Sequence, residues 1–442
     1  MVEIRTEQMK EEFQSPIIEE KGFFKKTRDY WRMVGPGITT GAADDDPSGI
    51  ATYSQAGAKY GYGFIWLAVF TFPLMVLIQE MCARIALVTG RGLAANIRLF
   101  FPRYALYTCV VLLFLANTFN IGADIGAMAE AFQLLVPGAS TVMLVFAIGL
   151  ICVLFEIFVS YKKYSSYLKW MTLALVAYVL AGLVMNFDGS TLLKNALIPS
   201  FEFTRDHILL LAAIIGTTIS PYLFFWQTSQ EVEEGILRGH NTIKERQAEG
   251  PKSIKPMRFD VILGMFMSNL VMFFIIAVCA ETLHKAGITD IETAADAANA
   301  LRPIAGNLSY TLFALGILGT GFLAIPVLAA SSAYAIAEAF KCKEGLYLKL
   351  REARVFYYII IASVLIGLLF NFFGFSAIKA LLYAAIANSI IAPIIIVFIV
   401  LLASNKSIMG KHVNHKVVTF LGWGTVILMG LVGLLTLVYL VV

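Results

Sequence analysis

Apolar residues run along this chain in long blocks rather than in narrow amphipathic stripes. Eleven blocks stand out, over 35–54, 63–88, 105–134, 140–160, 166–186, 207–234, 258–281, 308–339, 354–373, 376–402 and 418–441. A helix crosses a hydrocarbon layer about 30 Å thick with roughly 20 apolar residues, so the pattern predicts eleven membrane-spanning helices and the lipid bilayer as their solvent. Basic residues are distributed unevenly between the connections. With successive spans alternating in direction, the N-terminus and the connections after the even-numbered spans collect most of the 34 Lys and Arg, including Lys25, Lys26, Arg28, Lys162, Lys163, Lys244, Arg246, Lys341, Lys343, Lys411 and Lys416. The other face holds a handful, such as Lys59, Lys194 and Lys285. Basic connections stay in the cytoplasm, which predicts a cytoplasmic N-terminus and an outside C-terminus in the cell inner membrane.

Two of the blocks are interrupted. Span 1 contains Thr39-Thr40-Gly41-Ala42-Ala43-Asp44-Asp45-Asp46-Pro47-Ser48-Gly49, and span 6 contains Gly216-Thr217-Thr218-Ile219-Ser220-Pro221-Tyr222. The prolines Pro47 and Pro221 lie five spans apart, and an odd offset makes the second copy enter from the opposite face. That is the pattern of an inverted repeat, in which unwound backbone at matching positions exposes carbonyls and half-helix ends to a cation. An ordinary proline kink in a packed helix is the bland alternative for either span taken singly. The aspartate triplet lies near mid-depth. Each carboxylate there costs on the order of 2.5–3.5 kcal/mol, so three cost roughly 7–10 kcal/mol unless something positive or much water meets them.

Composition agrees with a membrane bundle: 59% of residues are hydrophobic, only 14% are charged, and the mean hydropathy is +0.77. A net charge of +4 says little by itself, its distribution mattering more, and no nucleic-acid partner is expected. The five cysteines (Cys82, Cys109, Cys152, Cys279, Cys342) lack paired spacing, so neither a disulfide framework nor a zinc site is expected, and no cofactor is indicated. The polar N-terminus has no cleavable-signal pattern.

The segments Gly35-Pro36-Gly37, Asp46-Pro47-Ser48-Gly49-Ile50-Ala51-Thr52, Gln55-Ala56-Gly57-Ala58, Ala83-Arg84-Ile85 and Val88-Thr89-Gly90-Arg91-Gly92-Leu93-Ala94 resemble the Nramp divalent-metal transporters over most of the chain. The resemblance implies an all-α membrane protein with the LeuT-type fold: two inverted five-helix repeats with discontinuous helices 1 and 6, plus additional helices. On that plan 1–32 is a cytoplasmic segment, 33–403 the transmembrane core (repeats of about 33–187 and 206–403), and 404–442 carries an additional helix 11. The expected substrate is a divalent metal ion, and the chain is expected to act as a monomer and not as an enzyme.

Departures from the family pattern are as informative as the match. The family's first-helix Asp and Asn and a sixth-helix Met of a Met-Pro-His motif contact the metal; here Asp46 is retained, but the other positions read Gly49, Ser220 and Tyr222. A soft thioether is replaced by a hard hydroxyl, and side-chain bulk is lost. Mg2+ dehydrates reluctantly and usually touches only one or two carboxylates while keeping several waters. The resemblance is therefore strongest to the Nramp-related magnesium transporters, which carry Mg2+ and Mn2+ as hydrated ions. The expected ion site comprises Asp46, Asp45, Ser220, Gly49, Thr217 and Tyr222, with Asp44 either joining it or capping a half-helix.

The family's proton-carrying acids of helix three fall at Asn120 and Ala123, and all five histidines (His207, His240, His284, His412, His415) lie at span ends or in loops. Cation flux uncoupled from protons is expected, with Asp124 and Glu130 as displaced acids that would restore coupling. Gln227, Glu231 and Glu234 share one face of span 6 and read either as a cytoplasmic vestibule or as a solvated helix end followed by Arg238. Asn388 and Tyr383 read as contacts to coordinated water or as interhelical glue. Glu80 and Glu156 read as partners of Arg84 and Lys163, and Ser331-Ser332 as small-residue packing. The alternatives are a proton-coupled Mn2+/Fe2+ Nramp symporter, an amino-acid symporter on the same fold, which three carboxylates would oppose, and an intramembrane prenyltransferase. The prenyltransferase would need Glu231-Val232-Glu233-Glu234 to serve as a second acidic motif.

Overall fold

The computed structural model describes residues 35–158, 176–185, 187–374 and 376–441. Among these every regular element is helical. Span 1 is two helices, Pro36–Asp44 and Pro47–Tyr60, and span 6 is likewise two, Arg205–Thr218 and Pro221–Leu237. The unbroken spans are Trp66–Thr89 (span 2), Arg103–Leu135 (span 3), Thr141–Phe158 (span 4), Ile254–Cys279 (span 7), Ser309–Phe340 (span 8), Arg354–Phe370 (span 9), Ala377–Ser404 (span 10) and Lys416–Val441 (span 11). Of span 5 the helix Val176–Val184 is described; its expected first half, with Lys162 and Lys163, lies outside the described residues, as does the segment 1–32.

Chain ends of the helices follow local chemistry. Asp46 caps the second half of span 1 with Pro47 in its first turn, where a missing N–H is harmless. Thr242 and Glu245 form a reciprocal capping box on the short helix Ile243–Glu249 between spans 6 and 7. Span 2 stops at Gly90, whose φ of 64° is left-handed.

Spans 6 and 8 are largely enclosed, whereas spans 4 and 11 turn Met143, Phe146, Leu150, Phe420, Ile427 and Leu434 outward, as helices bordering lipid do. Span 3 packs mainly against spans 8, 9 and 10, and the two halves of span 1 lie along span 7. The contact between spans 1 and 7 is at backbone level: a Cβ on Gly41 would stand 2.2 Å from the Gly264 carbonyl oxygen, and one on Gly264 would stand 2.1 Å from that of Gly37. Small residues permit such approach where no hydrophobic drive holds helices together in lipid. The Asp260 carboxylate secures the same pair by accepting from the Gly35 N–H at 2.9 Å and the Gly37 N–H at 2.6 Å.

Gly41→Val should therefore push span 1 away from span 7. It is expected to destabilise the protein by roughly 1–3 kcal/mol, the range for an overpacked core, read as a lowered thermal midpoint in detergent. An unchanged midpoint would mean that the two backbones are free to separate.

Candidate functional site

The two interruptions meet in the middle of the bundle. The first half of span 1 ends at Asp44, Asp45 takes a non-helical conformation (φ −83°, ψ 52°), and Asp46 is extended before the helix resumes. In span 6, Ile219 and Ser220 are non-helical between Thr218 and Pro221. The Thr217 and Ser48 hydroxyls are 2.9 Å apart, which joins the breaks directly.

Asp46 is the hub. Its Oδ1 accepts from the Ser48 hydroxyl at 2.6 Å and the Gly49 N–H at 2.8 Å, and its Oδ2 accepts from the Asn120 amide at 3.0 Å. Because Ser48 gives its proton to Asp46, the Thr217 hydroxyl is the donor in the Ser48–Thr217 pair. A carboxylate has about four lone-pair sites, and three are filled, so Asp46 presents one site on Oδ2 to a further partner. Asp44 Oδ2 accepts from the Ser268 hydroxyl at 2.5 Å, and the same hydroxyl lies 3.4 Å from Asp45 Oδ1; Asp44 Oδ1 has no partner. Asp124, one turn beyond Asn120, is fully buried with both oxygens unpartnered. Among the described residues, no Lys, Arg or His forms an ion pair with any of these four aspartates. Buried charges without a protein counter-charge mark a place for a cation or a proton.

The other expected site residues divide. Ser220 stands at the break, but its hydroxyl donates to the Gly216 and Thr217 carbonyls at 2.7 and 2.8 Å, leaving only lone pairs for a cation. Tyr222 donates to the Ala43 carbonyl at 2.9 Å and so satisfies the backbone that the break releases. Gly49 is closely surrounded: a Cβ there would lie 3.3 Å from Tyr53 Cε2 and 3.5 Å from both the Asp44 carbonyl oxygen and Thr217 Oγ1. Among the described residues, no group of three or more His, Cys, Asp or Glu side chains converges to hold a metal.

Gln227 and Glu231 are buried in a chain that starts at Thr40, which donates to Gln227 at 2.5 Å; Gln227 in turn donates to Glu231 at 3.0 Å. Glu234 is ion-paired with Arg238 at 2.6 Å, the solvated-end arrangement. Tyr334 donates to Glu233. The run Glu231 to Glu234 thus points at three separate partners and does not form a second acidic motif for a diphosphate. Asn388 is buried with a free Oδ1, whereas Tyr383 is half-exposed at the rim of a different cavity and is not part of the site. Glu80 binds Arg84 as expected and also Arg258. Ser331 and Ser332 do more than pack, since the Asn117 amide donates to both. Glu156 has no partner among the described residues. Asn120, Ser48 and Ser268 are the site residues that sequence reasoning missed; the sequence marks Asn120 only as the place of a lost acid in span 3.

The site is closed on both sides, with Asp46 2% and Ser220 1% exposed. On the face of the odd-numbered connections a cavity of about 310 Å3 stops at Lys59, which pairs with Asp206 at 2.7 Å, and at Gln55, which holds the span 7–8 connection through Thr289 and Ile291. On the opposite face a cavity of about 540 Å3 is lined by Glu233, Tyr334, Glu338 and the span 8–9 connection. Glu344 on that connection is pushed well above the usual carboxyl range, by burial first and then by the neighbouring Glu338 and Glu233.

A many-span bundle in which helices 1 and 6 unwind side by side around a buried carboxylate has the architecture of inverted-repeat membrane transporters of the LeuT type. The chain belongs to the Nramp family (natural resistance-associated macrophage protein-like), whose sequence profile it matches over residues 37–439. It is 28% identical over 405 residues to the divalent metal cation transporter MntH of Chromohalobacter salexigens, covering 89% of this chain and 88% of that protein. With the MntH of Mycobacterium leprae the identity is 26% over 429 residues, covering 93% and 92%. Among solved structures, a manganese transporter of Eremococcus coleocola superposes with a TM-score of 0.73 at 18% identity, covering 95% of this chain and 88% of that one. Mhp1, a nucleobase-cation-symport-1 family transporter, superposes with a TM-score of 0.54 at 16% identity, covering 92% and 91%.

Two outcomes are expected from this geometry. Tyr222→Phe leaves the Ala43 carbonyl without its donor and should cost about 1–3 kcal/mol, measured as a lower thermal midpoint. Glu344 binds its proton more tightly in the folded chain than in the unfolded one, so its contribution to stability is lost as pH rises from the ordinary carboxyl range through its raised folded value. Glu344→Gln should therefore match the wild-type thermal midpoint in acid and exceed it progressively toward alkaline pH; parallel curves would refute this.

Proposed function

We propose that this protein is a divalent cation transporter that carries Mg2+, and also Mn2+, as a partly hydrated ion by alternating access between the two cavities. The observation that carries the reading is Asp46: a buried carboxylate with no protein cation among the described residues and three of its lone-pair sites already filled. A single remaining site suits a metal that touches one carboxylate and keeps several waters, which is the habit of Mg2+. Hydroxyl and carbonyl oxygens at Thr217 and Ser220 are hard donors, and no thioether is supplied at the break. The similar MntH proteins are named as divalent metal cation transporters, which agrees with this class of substrate.

Inward flux needs no proton in this reading. A +2 ion moving down 100 mV gains roughly 4.6 kcal/mol. Placed in an inner membrane with the basic connections inside, the chain acts as a monomer, because both broken helices belong to one polypeptide. One observation favours a second reading, a proton-coupled Mn2+/Fe2+ symporter: Asp124 is buried and unpartnered within electrostatic reach of Asp46, as a proton carrier would be.

Reconstituted liposomes loaded with an internal pH probe separate the two. Mg2+ and Mn2+ should enter without acidification, and Asp46→Ala should abolish both fluxes; acidification that tracks Mn2+ entry, with no competition by Mg2+, would establish the symporter instead. Ser220→Met should shift preference toward Mn2+ or Cd2+ over Mg2+ by about tenfold, equivalent to about 1.4 kcal/mol. An unmoved ratio would mean that Ser220 does not face the ion.

A further inference from the structure

The face of span 1 that carries Asp46 continues through Gly49 to Tyr53, spaced as i, i+3 and i+7. Helical side chains lean toward the N-terminus, so Tyr53 covers the turn that holds Gly49 and points at the break. A Cβ on Gly49 would stand 3.3 Å from Tyr53 Cε2, which places the ring edge in the room that a larger residue at 49 would fill. Tyr53 is 0% exposed, and its hydroxyl has no hydrogen-bond partner. The same side chain lies within electrostatic reach of Asp44, Asp45 and Asp46. Buried phenol hydroxyls ordinarily have a partner, and an orphan one aimed at carboxylates needs an explanation.

We propose that Tyr53 is a specificity-determining residue of the ion site: its ring occupies the space beside Gly49, and its oxygen accepts a hydrogen bond from a water that the cation retains. This rests on the hydrated-ion reading above. Metal-bound water is a polarised, strong donor, and a neutral phenol oxygen accepts from it without adding charge to a site already rich in carboxylates. An ion that keeps that water gains the contact, and an ion that sheds it does not. Mg2+, which dehydrates reluctantly, is thereby favoured over Mn2+.

The test is the KM of the reconstituted full chain for Mg2+ and for Mn2+, compared between wild type and Tyr53→Phe, which keeps the ring and removes the oxygen. The Mg2+ KM is expected to rise about tenfold while the Mn2+ KM changes little. A Mg2+-to-Mn2+ KM ratio that moves by less than threefold overturns the proposal, even if both values rise together, because a merely structural role would move both alike. If Tyr53→Phe does not fold, Gly49→Ala, which sets a methyl against the ring and displaces the hydroxyl, must shift the ratio by threefold or more in the same direction. Wild-type Mg2+ flux with an unmoved ratio defeats Tyr53 alone, whereas wild type that carries no Mg2+ defeats the hydrated-ion reading and this proposal with it.

Discussion

Asp44, Asp45, Asp46 and Asp124 are all buried without a protein cation among the described residues, and much of the central architecture answers to that constraint. Water cannot reach them freely and no described Lys or Arg neutralises them, so polar hydrogen is brought to Asp44 and Asp46 from several helices at once, while Asp124 is left without a partner. Span 1 itself supplies the Gly49 N–H and the Ser48 hydroxyl to Asp46, span 3 supplies Asn120, and span 7 supplies Ser268 to Asp44. The break in span 1 follows from the same demand. An unbroken helix would occupy the Gly49 N–H with its own carbonyls, whereas the interruption frees it for Asp46. Tyr222 then closes the opposite side of the gap at Ala43, one residue before the first carboxylate.

On the proposed function, partial saturation of Asp46 would also set the style of metal binding. A carboxylate with most of its lone pairs engaged cannot chelate, and hydroxyls turned toward their own helix offer lone pairs without much reach. In the reading proposed above, such a site would hold an ion through its field and through water, a hard-ion strategy that differs from enclosure by soft ligands. The match to the Nramp family is spread over residues 37–439, while on the resemblance read from the sequence Gly49, Ser220 and Tyr222 depart from the family's pattern at the two breaks. Shared architecture and altered ligand chemistry coexist because the fold depends on helix packing and the selectivity on a few side chains at the breaks.

Much of this was legible in the sequence. Long apolar blocks gave the spans to within a few residues at most ends, and the polar, proline-marked interruptions located both breaks, since each is a local conflict between helix propensity and composition. What could not be read were partners distant along the chain. Asp44 and Ser268 are 224 residues apart, and nothing in a serine within an apolar block announces that it faces an acid. Asn120 drew attention as the loss of a titrating group, whereas in three dimensions it is a donor to Asp46. The Glu231–Glu234 run misleads for a related reason: helical rotation sends adjacent side chains to different neighbours, here Gln227, Tyr334 and Arg238. Ser331 and Ser332 looked inert because their partner, Asn117, lies on another helix.

The backbone contact of Gly37 and Gly41 with Gly264 has a mechanical consequence. Main-chain atoms packed against main-chain atoms leave no flexible side chains to cushion a sliding movement, so a tilt of the first half of span 1 would have to carry span 7 with it or break the contact. Ser268 sits one helical turn along span 7 from Gly264, and through it Asp44 would travel with that helix. On the proposed function, any rocking that opens one end of the bundle would drag a carboxylate relative to Asn120 on span 3, so that a bound ion would feel its surroundings change as its exit forms.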